Sequence, residues 1–154
     1  MTPPTSLHAQ PVADAIASVL AGLAPELWTP ADAGTCKWSP RDLDSVPAVV
    51  VEVPTIRRPE PDEQDLIGLG ANGWVLEFPV TFYFDLSEAS YAQTEAVAYV
   101  DAAILAIDAN RGLGIPTVID TAMVAAEPTV VEDRARPLMA YECQVHVLKA
   151  VPIP

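Results

Sequence analysis

The chain has 154 residues, 51% of them hydrophobic, and carries a formal net charge of −13. This length predicts a single domain over 1–154 with a core of its own, and the apolar content excludes a disordered chain. The large negative charge argues against attraction to nucleic acid or to an anionic membrane surface.

The first predicted element is an amphipathic helix. Residues 1–9 contain no basic region followed by an apolar run, so they predict an N-terminal tail and no secretory signal. Five apolar residues then recur at helical spacing: Val12, Ile16, Val19, Leu20 and Leu23. Their shared face predicts a helix over 10–23, and the prolines, glycines and short polar residues that follow predict a loop over 25–45.

A valine-rich segment over 46–56 predicts the first strand. Pro54 lies inside it, and because proline gives no donor to a ladder, we expect an edge strand or a bulge here. The next segment, 57–73, begins with prolines and carboxylates and ends with glycines. Its first half offers no core side chain, so we expect an exposed acidic and glycine-rich loop.

The clearest pattern lies in the middle of the chain. Apolar residues alternate over 74–84, which predicts a strand, and then recur about every 3.6 residues over 87–109, which predicts a helix. Two further strands are predicted over 118–126 and 138–147, with a C-terminal tail over 150–154. This order predicts an α+β fold, a mostly antiparallel sheet of about four strands with two helices packed on one face.

Motifs that could carry chemistry have simpler structural explanations. Gly68, Gly70 and Gly73 match the spacing of a dinucleotide-binding loop, but a strand and not a helix follows, which favours a turn. Cys143 and His146 lie three positions apart on a predicted strand and should point to opposite faces. Because the two histidines and two cysteines are scattered along the chain, we predict no metal site, no cofactor and no catalytic residue.

Two interpretations of the basic pair Arg57-Arg58 stay open. One is local pairing with the acidic segment beside it. The other is a contact with a carboxylate of a neighbouring copy, since arginine is favoured at interfaces. The acidic segment contributes four carboxylates: Glu60, Asp62, Glu63 and Asp65.

Four segments carry a family resemblance. They are the helix at 12–20, the valine-rich strand at 49–54, the aromatic strand at 78–84 that runs into a helix, and the strand at 141–147. Together they resemble the tail terminator proteins of long-tailed bacteriophages and, more loosely, the other small head–tail connector proteins of the phage neck. The resemblance covers most of residues 10–149 and lies in the order and texture of the elements.

This resemblance implies a structural virion protein and no enzyme. Tail terminators form a homohexameric ring that caps the tail tube protein, meets the head–tail connector or stopper protein, and lets DNA pass through without specific binding. The chain would be made in the host bacterial cytoplasm and end in the tail or neck of the virion, with no membrane partner. The alternatives are a stopper or adaptor of the neck, a small carboxylate-dependent enzyme, or a monomeric ligand-binding module.

Two sets of residues are expected to matter in such a ring. Some of the carboxylates Glu60, Asp62, Glu63 and Asp65 would face the channel or a ring surface, where negative charge keeps DNA from adhering. Strand residues near 49–53 or 78–84 would contact neighbouring copies, because an incompletely paired strand can be completed by a neighbour. This second set includes Val51, Val53, Phe82 and Phe84.

Overall fold

The computed structural model describes residues 9–23, 36–37, 48–68, 71–85, 89–131 and 138–152. The helices are α1 (Ala9–Ala21), α2 (Pro61–Ile67) and α3 (Ala89–Ala109). The strands are β1 (Cys36–Lys37), β2 (Ala48–Glu52), β3 (Thr55–Arg57), β4 (Ala71–Asp85), β5 (Val118–Val131) and β6 (Leu138–Pro152). The fold is α+β, as predicted.

The described strands form one sheet in the order β1-β2-β4-β6-β5, and β3 pairs with β4 beyond the end of β2. Every pairing is antiparallel except that of β1 with β2. β4 and β6 pair along their whole length, from Ala71 opposite Pro152 to Asp85 opposite Leu138. The sheet therefore has β5 as one edge and the short strands β1 to β3 as the other.

α1 and α3 pack against one face of this sheet, as predicted. β4 turns alternate side chains into the same core: Leu76, Phe78, Val80, Phe82 and Phe84. α1 adds Ile16 and Leu20, and α3 adds Ile107. Burial of each large apolar side chain contributes about 1.5–3 kcal/mol. Because side chains alternate along a strand, the residues between them point to the opposite face, which we call the open face.

The strand predicted over 46–56 is split in two. Between the pairs Val51–Val80 and Thr55–Glu77, β4 advances by three residues and its partner by four. One extra residue is the signature of a bulge, and it falls where Pro54 interrupts the segment. The expectation of a bulge at this proline is confirmed, and the single strand is corrected to two.

The loop predicted over 57–73 contains the helix α2, which corrects that prediction. Pro61 occupies the first turn, where its missing N–H costs nothing. Glu60 and Glu63 form a capping box, and carboxylates in the first turn suit the positive end of a helix. None of the helical residues is buried, so the expected exposure is confirmed while the expected lack of structure is wrong.

The last two strands are longer than predicted. β5 continues through Pro128 to Val131, because an edge strand tolerates a proline on its unpaired side. β6 continues to Pro152, so most of the tail predicted over 150–154 is strand that pairs with the start of β4. The neighbouring strand supplies the hydrogen bonds for these extensions, and no local sequence pattern predicts them.

Some predictions lie outside the described residues. This holds for most of the N-terminal tail over 1–9 and most of the loop predicted over 25–45, inside which β1 forms. The single-domain prediction for 1–154 stays a prediction. None of the described helices combines the length and the apolar content that a bilayer crossing requires.

Candidate functional site

The open face of the sheet carries a cleft. α2 covers one end of this face, where its Ile67 lies against Gly73 of β4. Farther along the strands, a cleft of about 350 Å³ opens between β2, β4 and β6. Six of its lining residues are Glu52, Pro79, Thr81, Tyr83, Glu142 and Gln144.

Two carboxylates line the cleft from opposite sides of β4. Burial raises the pKa of the Glu52 carboxyl, and the negative charge of Glu142 raises it further. Glu142 also lies directly opposite Glu127 of β5, so a third carboxylate continues the row across the sheet. Within the described part of the chain none of these three glutamates forms an ion pair, and like charges opposite one another destabilise a sheet.

A second polar group lies under α2 and contains charges of both signs. The Arg57 guanidinium donates to Glu63 Oε1 at 2.8 Å and also pairs with Glu77 of β4. Glu77 in turn lies 3.5 Å from His146 Nε2. The hydrogen bond from Arg57 lowers the pKa of the Glu63 carboxyl. Of the two interpretations of the basic pair, the structure shows local pairing for Arg57.

Arg58 is bound differently from its neighbour. Its guanidinium carbon lies 3.7 Å from the centroid of the Trp74 ring, and Nη1 donates to the Gly73 carbonyl at 3.3 Å. An exposed stacking of this kind is worth about 0.5–1 kcal/mol. Among the described residues no carboxylate pairs with Arg58, so its charge faces solvent unbalanced.

The residues predicted to contact neighbouring copies divide into two groups. Val51, Phe82 and Phe84 are buried in the core beneath the helices, and β4 has strands paired on both sides. Val53 is exposed and lies in the bulge between β2 and β3. A role for any of these residues between copies stays a prediction, and only Val53 presents its side chain to solvent.

The four carboxylates expected on a ring surface all belong to α2 or its cap. Glu63 is held by Arg57 and accepts a hydrogen bond from the backbone N–H of Glu60 at 2.8 Å. Glu60, Asp62 and Asp65 are exposed. Placement of these side chains toward a channel stays a prediction.

Cys143 and His146 point to opposite faces of β6, as predicted. The thiol lies in the core, and burial raises its pKa to about 12, so it is protonated and unreactive at neutral pH. His146 lies on the open face beside Glu77. In the ranges that the structure describes, no three His, Cys, Asp or Glu side chains come close enough together to hold a metal ion.

No pattern in the sequence identified the cleft. Glu52 and Glu142 become neighbours only through the register of β2, β4 and β6, which no local pattern specifies. The one available signal was that Glu142 and Gln144 alternate with apolar residues. That signal predicts a solvent-facing side of a strand and does not distinguish a cleft from a flat surface.

Comparison with known proteins gives similarities among solved structures alone. No protein-family model matches the chain, and no curated protein matches it. Among solved structures, a chain from the virion of a native gene transfer agent particle aligns with a TM-score of 0.48 and 17% sequence identity. The alignment covers 92% of this chain and 91% of that chain. A similarity at this TM-score and identity assigns no function to the chain.

Proposed function

We propose that this chain is a structural virion protein, a tail terminator of a long-tailed phage or phage-like particle. Its copies form a homohexameric ring that caps the tail tube and joins it to the head–tail connector. The resemblance that suggests this role rests on the order of helices and strands, and the long elements of that order are present in the fold.

The observation that carries the proposal is where the exposed apolar side chains lie. Among the described residues, eight large apolar side chains are exposed: Val53, Ile56, Leu66, Val97, Leu105, Ile119, Val124 and Val130. Six of them lie at the two edges of the sheet or on α2, and none lines the cleft. Apolar surface at opposite edges of one subunit suits contacts between copies, and head-to-tail contacts that close make a ring.

The charge of the chain supports the same role. DNA moving through a ring must not be held, and phosphates are held by Lys and Arg. The chain has 8 basic and 21 acidic residues, and the exposed helix α2 carries Asp62 and Asp65. A ring of such subunits would repel a passing duplex.

Growing tail tubes test this function. Tube protein is polymerised with and without the purified chain, and tube lengths and ends are measured by electron microscopy. We expect the added chain to stop elongation and to appear as a ring at one end of each tube. Tubes that elongate unchanged, with no density of this chain at their ends, would overturn the proposal.

The cleft favours one other function, that of a small enzyme using the carboxylates Glu52 and Glu142. Such an enzyme would turn over a substrate, and both Glu52→Gln and Glu142→Gln would abolish that turnover. Asp101→Asn, a matched charge removal on the exposed side of α3, would leave it unchanged. Saturable turnover with this pattern would replace the structural function by a catalytic one.

A further inference from the structure

Each of the three bulges in the described ladders exposes a β-branched apolar residue. In β5 the register skips Ile119, between Val118 and Asp120, and Val124, between Met123 and Ala125. Both skipped residues are exposed, Val124 by 53%. Val53, in the bulge between β2 and β3, is exposed as well. A bulge redirects a side chain, and here each bulge directs an apolar side chain to solvent. Exposing apolar surface to water is unfavourable in free energy.

These residues lie at opposite edges of the sheet. The β5 edge presents Ile119, Val124 and Val130. The β3 edge presents Val53 and Ile56. Within the described part of the chain, no other strand pairs with the outer side of β5 or of β3.

We infer that the β5 edge of one copy docks on the β3 edge of the next copy, with the bulge residues at the centre of the contact. This inference rests on the ring proposed above and names the surfaces that build it. The bulges and Pro128 interrupt the row of backbone hydrogen-bonding groups along the outer edge of β5, so the contact is made by side chains and not by a continuous backbone ladder.

Charge selects this partner over a contact between two β5 edges. The β5 edge carries the exposed carboxylate Glu127, which lies opposite Glu142 and has no cation beside it among the described residues. The β3 edge carries Arg58, whose charge is unbalanced. Two β5 edges would bring carboxylates together, whereas the β3 edge contributes a cation, Arg58, to the contact.

Strand direction is compatible with the same arrangement. β3 runs antiparallel to β4, β4 to β6, and β6 to β5, so β3 and β5 run in opposite directions within one copy. Copies related by rotation about an axis along the strands would therefore meet with antiparallel strands at the contact. No copy has to be inverted, which is the condition for a head-to-tail ring.

The first test places a charge on each edge. Val124→Glu alters the β5 edge, Ile56→Glu alters the β3 edge, and Leu105→Glu is the matched control on α3, where the side chain is 70% exposed. Sedimentation velocity from micromolar to millimolar concentration is expected to show an oligomer for the wild type and the control, and monomers for both edge variants. Circular dichroism verifies folding, and Val130→Glu replaces Val124→Glu if that variant does not fold.

Mixing the two edge variants tests the pairing itself. Each retains one intact edge, so an equal mixture should give a dimer of the two variants and nothing larger. A mixture that stays monomeric, edge variants that assemble like the wild type, or a wild type that is monomeric at every concentration would overturn the inference. A β5-to-β5 contact would also overturn it, and would appear as dimers of Ile56→Glu alone.

The two proposals can fail separately. If wild-type chain stops tube growth while the edge variants still form rings, the docking surfaces are wrong and the function stands. If the edge variants behave as expected but wild-type rings leave tubes growing, the surfaces are right and the function is wrong.

Discussion

At the scale of single residues, two glutamates show how the surroundings decide the behaviour of identical side chains. Glu52 is partly buried near another carboxylate, and its pKa is raised. Glu63 accepts hydrogen bonds from Arg57, and its pKa is lowered. At neutral pH the negative charge of Glu52 lowers the stability of the folded state, whereas the negative charge of Glu63 raises it.

Glu52→Gln should therefore stabilise the protein at neutral pH. A raised carboxyl pKa contributes stability that is fully present below the unfolded pKa, near 4.5, and is lost as pH rises through the folded pKa. The gain from Glu52→Gln should be largest at neutral pH and should vanish as pH falls below that value. Urea unfolding at a series of pH values measures it.

Asp101→Asn is the control, because it removes the same charge from an exposed position on α3. If both variants change the free energy of unfolding equally at every pH, the local surroundings of Glu52 are not the cause. Glu63→Gln should show the opposite sign, with a loss of stability at neutral pH that disappears in acid as the wild-type Glu63 is protonated.

At the scale of elements, α2 is a helix that exists because of its neighbours. Seven residues are too few for a stable isolated helix. The capping box of Glu60 and Glu63 satisfies its first turn, and Arg57 binds it to β3. Gly73 of β4 leaves the space that the Ile67 side chain occupies.

Gly73→Ala should destabilise the protein by about 1–3 kcal/mol, the usual cost of overpacking. The new methyl group would overlap the Ile67 side chain and lie 3.0 Å from Pro59 Cγ. Ile67→Ala in the same chain makes room for it, so the double variant should lose less than the sum of the single losses. Urea unfolding of the four proteins gives the coupling energy.

Gly112→Ala serves as the matched control, because no atom beyond its two chain neighbours lies within 4 Å of the position that its methyl group would take. Its effect should stay within about 0.5 kcal/mol, as for most surface substitutions. A Gly73→Ala variant as stable as this control would show that α2 does not rely on the space at Gly73.

At the scale of the whole molecule, charge and apolar surface act against each other. Copies with a net charge of −13 repel, while the exposed apolar residues at both sheet edges favour association. A single ion pair at the rim of a contact adds little. The balance should therefore depend on how far the negative charges act through the solvent.

Added salt should strengthen association of this protein. Salt shortens the Debye length from about 10 Å at 0.1 M to about 3 Å at 1 M ionic strength. Apolar contacts are not weakened by this screening. Sedimentation at rising salt should show a growing oligomeric fraction for the wild type, and no change for the monomeric Val124→Glu variant. Dissociation by salt would mean that ion pairs hold the copies together.

The sequence by itself determined the elements whose signal is local. Alternation along β4 and the change to helical period in α3 each arise within one element, so both were predicted, as was the packing of α1 and α3 on one face. Polar residues alternating in β6 correctly indicated that Cys143 and His146 point apart. The bulge at Pro54 followed from the chemistry of one residue.

Only the tertiary structure decided what depends on pairing between distant segments. Three features require a neighbouring segment that the sheet brings close. They are the cleft of Glu52 and Glu142, the extension of β5 through Pro128, and the packing of Ile67 of α2 against Gly73. The same holds for the bulge residues Ile119 and Val124, which become exposed because the register with β6 skips them. The register of two strands depends on all the contacts along their full length. A short stretch of sequence does not show which residues of a distant strand those contacts involve.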